Sequence, residues 1–347
     1  MNWNCCKQTL IIFLIASICF PTCGQENKSF AIVLSTIPPR FKNVASTLIS
    51  WISQSIPPKR ICMYIPLKYK RFRRRQQIRQ ESFHELLRSS IQSHPNPSLL
   101  QWMNEGRLKI IDVENDWGPI TRFVGVINEQ KNWNFSSPLT ESCFDVFKED
   151  LPQYWLFCDD DVFYVPESLQ KYSYYLDYFD NLLNGNKNFG LTQFSEDFRV
   201  AYQLESDSSM QFIRHVQGVD TYIIPQSRLM EQYCGYGALH FLHMSAAIEF
   251  FHSVCPESFY QDDYIVSFLL HLADLEMISI WNYDSLATHI DGISKSNFQM
   301  HMDDEVFAKE LATKRCVTTY ANYILQQISS SIYRDAYSPR ICNSSQT

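Results

Sequence analysis

Asp159, Asp160 and Asp161 stand in a row directly behind the apolar run Tyr154 to Cys158, and apolar residues resume at Val162, Phe163 and Tyr164. Adjacent carboxylates repel one another, and burying them without compensation is costly. A divalent cation is a natural compensation, because hard carboxylate oxygens suit Mg²⁺ or Mn²⁺. The run before them reads as a buried strand. The carboxyl end of a strand in an open α/β sheet is where ligands usually bind. The competing reading is an acidic turn that only caps the helix expected over 166–183.

The elements that must position this cluster follow from the periodicity of the chain. Phe30 to Ser35 reads as a first strand, Ile61 to Ile65 as a second and Leu108 to Val113 as a third. Between them lie helical patterns over Lys42 to Ser55, with Val44, Leu48, Trp51 and Ile52 on one face, and over Ser82 to Ser93. A further helix is expected over Pro119 to Gln130, before the strand that meets the aspartates. This alternation predicts an α/β fold with a mostly parallel sheet and helices on both faces. The second half predicts a strand over Gln217 to Pro225, a buried helix over Tyr264 to Ala273 and a helical segment over Phe307 to Ile332. Proline-bearing Ser93 to Pro97 reads as a loop. One continuous domain of about 320 residues, 25–347 with its core at 30–292, is favoured over two.

Composition narrows the function. The chain has 347 residues, 45% of them hydrophobic, and ten glycines, so it is neither disordered nor fibrous. Its net charge of −7 argues against nucleic acid as a partner. The basic run Lys68 to Arg75 reads as a solvated face ahead of a polyanion patch. Lys7, the apolar stretch Leu10 to Phe20 and the break at Pro21 to Gly24 predict a signal peptide or short signal anchor over 1–24. The chain is therefore expected in the secretory pathway, in the Golgi or ER lumen or secreted, with a membrane contact only through that segment if it stays uncleaved. Acceptor sequons at Asn27, Asn134 and Asn343 agree with a glycoprotein. Outside the leader stand Cys62, Cys143, Cys158, Cys234, Cys255, Cys316 and Cys342, an odd set, so disulfides are expected and Cys158 is the candidate free thiol. No spacing resembles a zinc pair.

Further segments accompany the triple aspartate: Thr36-Ile-Pro-Pro-Arg40, Asp116-Trp-Gly-Pro119, Asp262-Asp263 and the His289 of THIDG. In this order the chain resembles the GT-A glycosyltransferase superfamily, and within it the glycosyltransferase 2-like members that combine an IPxR start, a DxGP segment and a DDD form of the DxD motif. The likeness covers roughly Phe30 to Gly292. It implies a metal-dependent transferase that moves a sugar from a nucleotide sugar, with UDP-sugars the expected donors, to an acceptor hydroxyl. The acceptor would be a glycan, a glycoprotein or another hydroxyl compound.

The resemblance also implies roles. Asp161 is the dominant Mn²⁺ or Mg²⁺ ligand, Asp159 meets the ribose or the metal through water, and Asp160 assists the metal or the sugar. His289 completes the metal shell, although His240, His243, His271 and His301 compete for that place. Arg40 stacks on the base or pairs with phosphate, or is a surface arginine. Asp116 lies against the donor or caps a helix. Arg122 faces the diphosphate where relatives carry lysine. Asp263 is the general base of an inverting reaction with Asp262 as acceptor-side support, and either could instead be an N-cap. Gly235 to Gly237 and the aromatic stretch Phe241 to Phe251 border the acceptor pocket. Two rival readings stand beside this one: a metal-dependent phosphohydrolase, and a secreted, catalytically inactive carbohydrate-binding protein.

Overall fold

A computed structural model describes residues 28–67, 69, 81–133, 142–143, 151–183, 185, 189–203, 210–227, 248, 252–256, 265–267, 269–270, 275–280, 287–289 and 316. At 81–83, 130–133, 194–203, 210–220, 276 and 287–289 the description extends to the backbone only. Strand β1 (Phe30–Leu34) is buried at every position, as is β2 (Arg60–Pro66). Strands covered on both faces need apolar side chains throughout, which is why FAIVL and ICMYI are continuous rather than alternating. With β3 (Leu108–Val113), β4 (Tyr154–Cys158), β6 (Phe189–Gln203), β7 (Met210–Pro225) and β8 (Glu276–Ser279) they form a sheet of order β3-β2-β1-β4-β7-β6-β8. Neighbours β3, β2, β1 and β4 run parallel, as do β6 and β8, while β7 is antiparallel to both β4 and β6. The fold is thus the mostly parallel α/β sheet, flanked by helices, that the sequence predicts.

Alternation along each strand sends side chains to two cores. Ala31 and Val33 of β1 join Trp155 and Phe157 of β4 on one face, against helix α4 (Thr121–Trp133). Ile32, Leu34, Leu156 and Cys158 face the other way, against α1 (Val44–Ile52), α2 (Glu81–Gln92), α3 (Pro97–Asn104) and α5 (Ser168–Leu182). Helix α3 begins where a loop was expected. Asn96 caps it by accepting a hydrogen bond from the Ser98 N–H at 2.9 Å, and Pro97 occupies the first turn, where its missing N–H costs nothing. A short second sheet pairs β5 (Val162–Tyr164) with β9 (Ala287–His289).

The largest departure from expectation is β7. It extends seven residues N-terminal to the predicted strand and forms with β6 a long hairpin, paired from Leu191 and Ile223 out to Gln203 and Met210. Thr221 is opposite Cys158, so the backbone before Thr221 runs past the end of β4, on the side where the aspartates begin. Described residues 265–267 and 269–270 are helical, within the helix expected over Tyr264 to Ala273. Most of the expected 307–332 segment, all of the basic run except Tyr69, and the sequon asparagines Asn27, Asn134 and Asn343 lie outside the described residues. Among the described residues no helix is long and apolar enough to cross a membrane.

Disulfides join Cys62 to Cys143 and Cys255 to Cys316, and Cys158 is free and buried. Around the first bridge, Glu129 accepts hydrogen bonds from Tyr64 Oη at 3.0 Å and from the Cys143 N–H at 2.9 Å. Arg60 donates to the Cys143 carbonyl at 2.7 Å, so buried charge and buried polar backbone satisfy each other. The Tyr64 ring reaches Glu129 across Gly125 on α4. A Cβ at Gly125 would lie 2.3 Å from the ring atom Cδ1. Gly125→Ala should therefore cost about 1–3 kcal/mol despite the better helix propensity of alanine, measured as a lower urea midpoint.

Candidate active site

The register of two parallel strands assembles the site. Val33 is level with Phe157, so the chain leaves β1 and β4 side by side, and Thr36 emerges beside Asp160. Thr36 Oγ1 donates to Asp160 Oδ2 in a buried hydrogen bond. Ser35 Oγ donates to the Pro119 carbonyl at 3.3 Å, which fastens the same strand end to the segment after β3. There Gly118 sits at φ 72°, a left-handed conformation that glycine adopts without strain. Asp116 is buried and its Oδ1 accepts from the Gly118 N–H at 2.9 Å, closing the turn that leads into α4.

Two arginines meet the three aspartates. Arg40, the last residue of a 3-10 turn at Pro38–Arg40, donates from Nη1 to Asp160 Oδ1 at 2.6 Å, and its Nη2 lies 3.1 Å from Asp161 Oδ2. Arg122, in the first turn of α4, pairs with Asp159 Oδ1. A cation near a helix N-terminus opposes the helix dipole, so the Asp159 carboxylate compensates both the dipole and the burial of Arg122. Burial opposes the charge on Arg40 too, yet Asp160 and Asp161, with Asp159 behind them, raise its pKa and keep it protonated. Asp160 and Asp161 are nearly buried, whereas the Asp159 side chain keeps 28% of its surface exposed.

A row of buried polar side chains on α1 holds the backbone of this turn. Thr47 Oγ1 donates to the Asp160 carbonyl at 2.9 Å, and Ser50 Oγ accepts from the Tyr164 N–H at 3.3 Å. Gln54, just past the helix, donates to the Val165 carbonyl at 2.8 Å and accepts from the Leu169 N–H at 3.0 Å. Positions 47, 50 and 54 share one helical face. In the sequence only the apolar face of Val44, Leu48, Trp51 and Ile52 stands out on this helix, so the role of these polar residues goes unseen there. On the neighbouring turn of α1, Trp51 stacks on Tyr164 with ring centroids 4.0 Å apart. Behind the turn, burial pushes the Cys158 thiol up to about 12, which leaves it neutral at physiological pH.

The structure therefore brings together Arg40, Arg122 and Asp159 to Asp161, with Asp116 closing the adjacent turn. Backbone pairing also sets His289 opposite Val162, one residue beyond Asp161. Asp262 and Asp263 lie outside the described residues, as do Gly235 to Gly237 and most of the aromatic stretch. Carboxylate oxygens such as those of Asp161 and Asp159 are of the kind that suits a hard divalent cation, and each of these residues already pairs with a guanidinium. The two carboxylate oxygens of Asp160 are already taken, by Thr36 and Arg40. Among the described residues no three His, Cys, Asp or Glu side chains form a metal-ligand group.

No family model matches the chain, and no curated protein is similar to it. Solved structures similar to it include S. aureus TarS, at 13% identity and a TM-score of 0.34, with 79% of this chain and 38% of that one covered. S. aureus TarS 1-349 follows at 12% identity and a TM-score of 0.31, covering 90% of this chain and 75% of that one. The same protein in complex with UDP gives 11% identity and a TM-score of 0.33, over 89% and 72%. The chain thus spans well under half of the first of these. At such values the likeness transfers no activity.

Thr47→Val keeps the shape of the side chain and strands the buried Asp160 carbonyl. It should lower stability by about 1–3 kcal/mol in chemical denaturation. Ser46→Ala, at the exposed neighbouring position, should stay within about 0.5 kcal/mol.

Proposed function

We propose that the chain is a metal-dependent glycosyltransferase that moves a sugar from a nucleotide sugar, a UDP-sugar in the first instance, to an acceptor hydroxyl. The observation that carries this reading is the aspartate turn. Nearly buried carboxylates sit at the carboxyl end of β4, beside the end of parallel β1, with guanidinium groups of Arg40 and Arg122 on either side. Carboxylates there can hold a divalent cation, and arginines there can meet phosphate oxygens.

Asp161 and Asp159 are the carboxylates that would hold Mn²⁺ or Mg²⁺, with His289 as a further ligand from the strand paired to β5. When bound, the ion supplies positive charge that stabilises the departing diphosphate. Arg122, fixed by its burial, would keep a second positive charge beside the diphosphate, and Arg40 would face the phosphate or the base. Asp263, with Asp262 before it, would take the proton of the acceptor hydroxyl. The acceptor oxygen then bonds to the anomeric carbon from the face opposite the nucleotide, and the carbon–oxygen bond to the diphosphate breaks with inversion. Disulfides at Cys62–Cys143 and Cys255–Cys316 agree with a luminal or secreted location, where thiols oxidise.

The test is release of nucleoside diphosphate from a panel of nucleotide sugars by the full chain, with Mn²⁺ or with EDTA. The expected outcome is Mn²⁺-dependent turnover of one donor. Asp161→Asn should reduce it by about a hundredfold or more while the melting curve is kept, the scale of losing one stabiliser of developing charge. Donor binding without turnover under any acceptor would instead support the inactive carbohydrate-binding reading. Absence of donor binding under every metal condition would overturn the transferase.

A further inference from the structure

Arg40 and Arg122 both pair with the aspartates but are built differently. The Arg122 side chain keeps 3% of its surface exposed, and that of Arg40 keeps 29%. Arg40 pairs with Asp160 and Asp161, whose side chains are 5% and 9% exposed, so its guanidinium is the more exposed member of both pairs. Within the described residues its side chain meets these two aspartates, through Nη1 and Nη2. No helix fixes it from behind: it ends a three-residue turn, on a long side chain with many rotamers. Asp160, by contrast, does not depend on Arg40 alone. Thr36 donates to its carboxylate and Thr47 to its carbonyl, so the turn keeps two anchors if Arg40 leaves.

We infer that Arg40 is an exchangeable counterion, which holds Asp160 and Asp161 until a divalent cation takes Asp161, and which is then free to pair with the diphosphate of the nucleotide. The inference rests on the metal-dependent reading proposed above. Asp161 Oδ2 already faces a guanidinium nitrogen at 3.1 Å. A cation on the same oxygen, at about 2 Å, would bring two positive groups within a few ångströms in a poorly hydrated site, so one must move. Arg40, the more exposed of the two arginines and carried on a long flexible stem, is the one that can. Cation and nucleotide then become coupled through one side chain: the cation releases Arg40, and the diphosphate stabilises it in its released position. By linkage each ligand strengthens the binding of the other.

The experiment is a titration of Mn²⁺ into the full chain at low ionic strength, with free Mn²⁺ read by electron paramagnetic resonance, with and without UDP. Wild type is compared with Arg40→Gln and Arg40→Lys, each checked by thermal melting. Arg40→Gln removes the competing charge and should bind Mn²⁺ alone about tenfold more tightly, which corresponds to about 1.4 kcal/mol. UDP should bind this variant more weakly, and should strengthen its Mn²⁺ binding less than in wild type. Arg40→Lys keeps the charge without the two-pronged contact and should fall between. If Arg40→Gln fails to fold, Arg40→Lys carries the test, and tighter Mn²⁺ binding than wild type is again the expected result. Mn²⁺ binding to wild type that is unchanged or weaker in the variants would overturn the exchange while leaving the metal site standing. If neither wild type nor variants bind Mn²⁺, even with UDP, the metal-dependent reading falls and the exchange falls with it.

Discussion

Carboxylates that follow one another at the end of a buried strand repel one another and lose water, and cations beside them offset both costs. Arg40 and Arg122 meet them here, from opposite ends of the Asp159–Asp161 row and from different elements. Taking ions out of water costs several kcal/mol each, and attraction repays this only with good geometry and added hydrogen bonds. The surrounding structure supplies both. Strand β1 delivers Thr36, the 3-10 turn delivers Arg40, and the turn closed by Asp116 and Gly118 sets the start of α4 that carries Arg122. The parallel pairing of β1 with β4 brings these pieces to one edge.

The helix beneath the turn is built for the same end. An ordinary covering helix would present only apolar residues to the sheet. Here α1 presents Val44, Leu48 and Trp51 together with Thr47 and Ser50, and Gln54 follows at its end. The polar members meet backbone groups of 160, 164, 165 and 169, and the Val165 carbonyl also accepts from the Ser168 N–H at the start of α5. This fixes the path between β4 and α5, and with it the direction of the carboxylates. Rigidity in the backbone and exposed surface on Arg40 and Asp159 then coexist in one site, as binding a charged ligand requires.

Much of this frame was legible in the chain. Continuous apolar runs marked β1, β2 and β4 because strands buried on both faces need them, and β3 was found with the bounds the sequence predicts. Cys158 stood out as the free thiol because it falls inside a core strand. The triple aspartate announced a charged site, and Arg40 and Arg122 were named beside it as contacts to the donor, but their pairing with the aspartates was not legible, since Arg40 is 119 residues from Asp159 in sequence and meets the row through the pairing of β1 with β4. Thr47, Ser50 and Gln54 gave no signal because helical periodicity marks the apolar face and leaves open which polar positions are covered. Helix α3 was missed through its proline, although Asn96-Pro97 is a good helix start. The β6–β7 hairpin escaped because charged residues such as Glu196, Asp197, Arg199 and Arg214 interrupt any apolar run, and β5 is too short to be read at all.

The Asp159–Asp161 row is the place where, in the proposed function, a cation and a diphosphate come together. Anomalous diffraction from crystals of the full chain soaked with MnCl₂ and UDP tests it most directly. The expected result is a manganese peak within about 2.5 Å of an Asp161 carboxylate oxygen, with the UDP phosphates on the same ion. Manganese and UDP bound away from the row, with Arg40 still seated on Asp160 and Asp161, would contradict it.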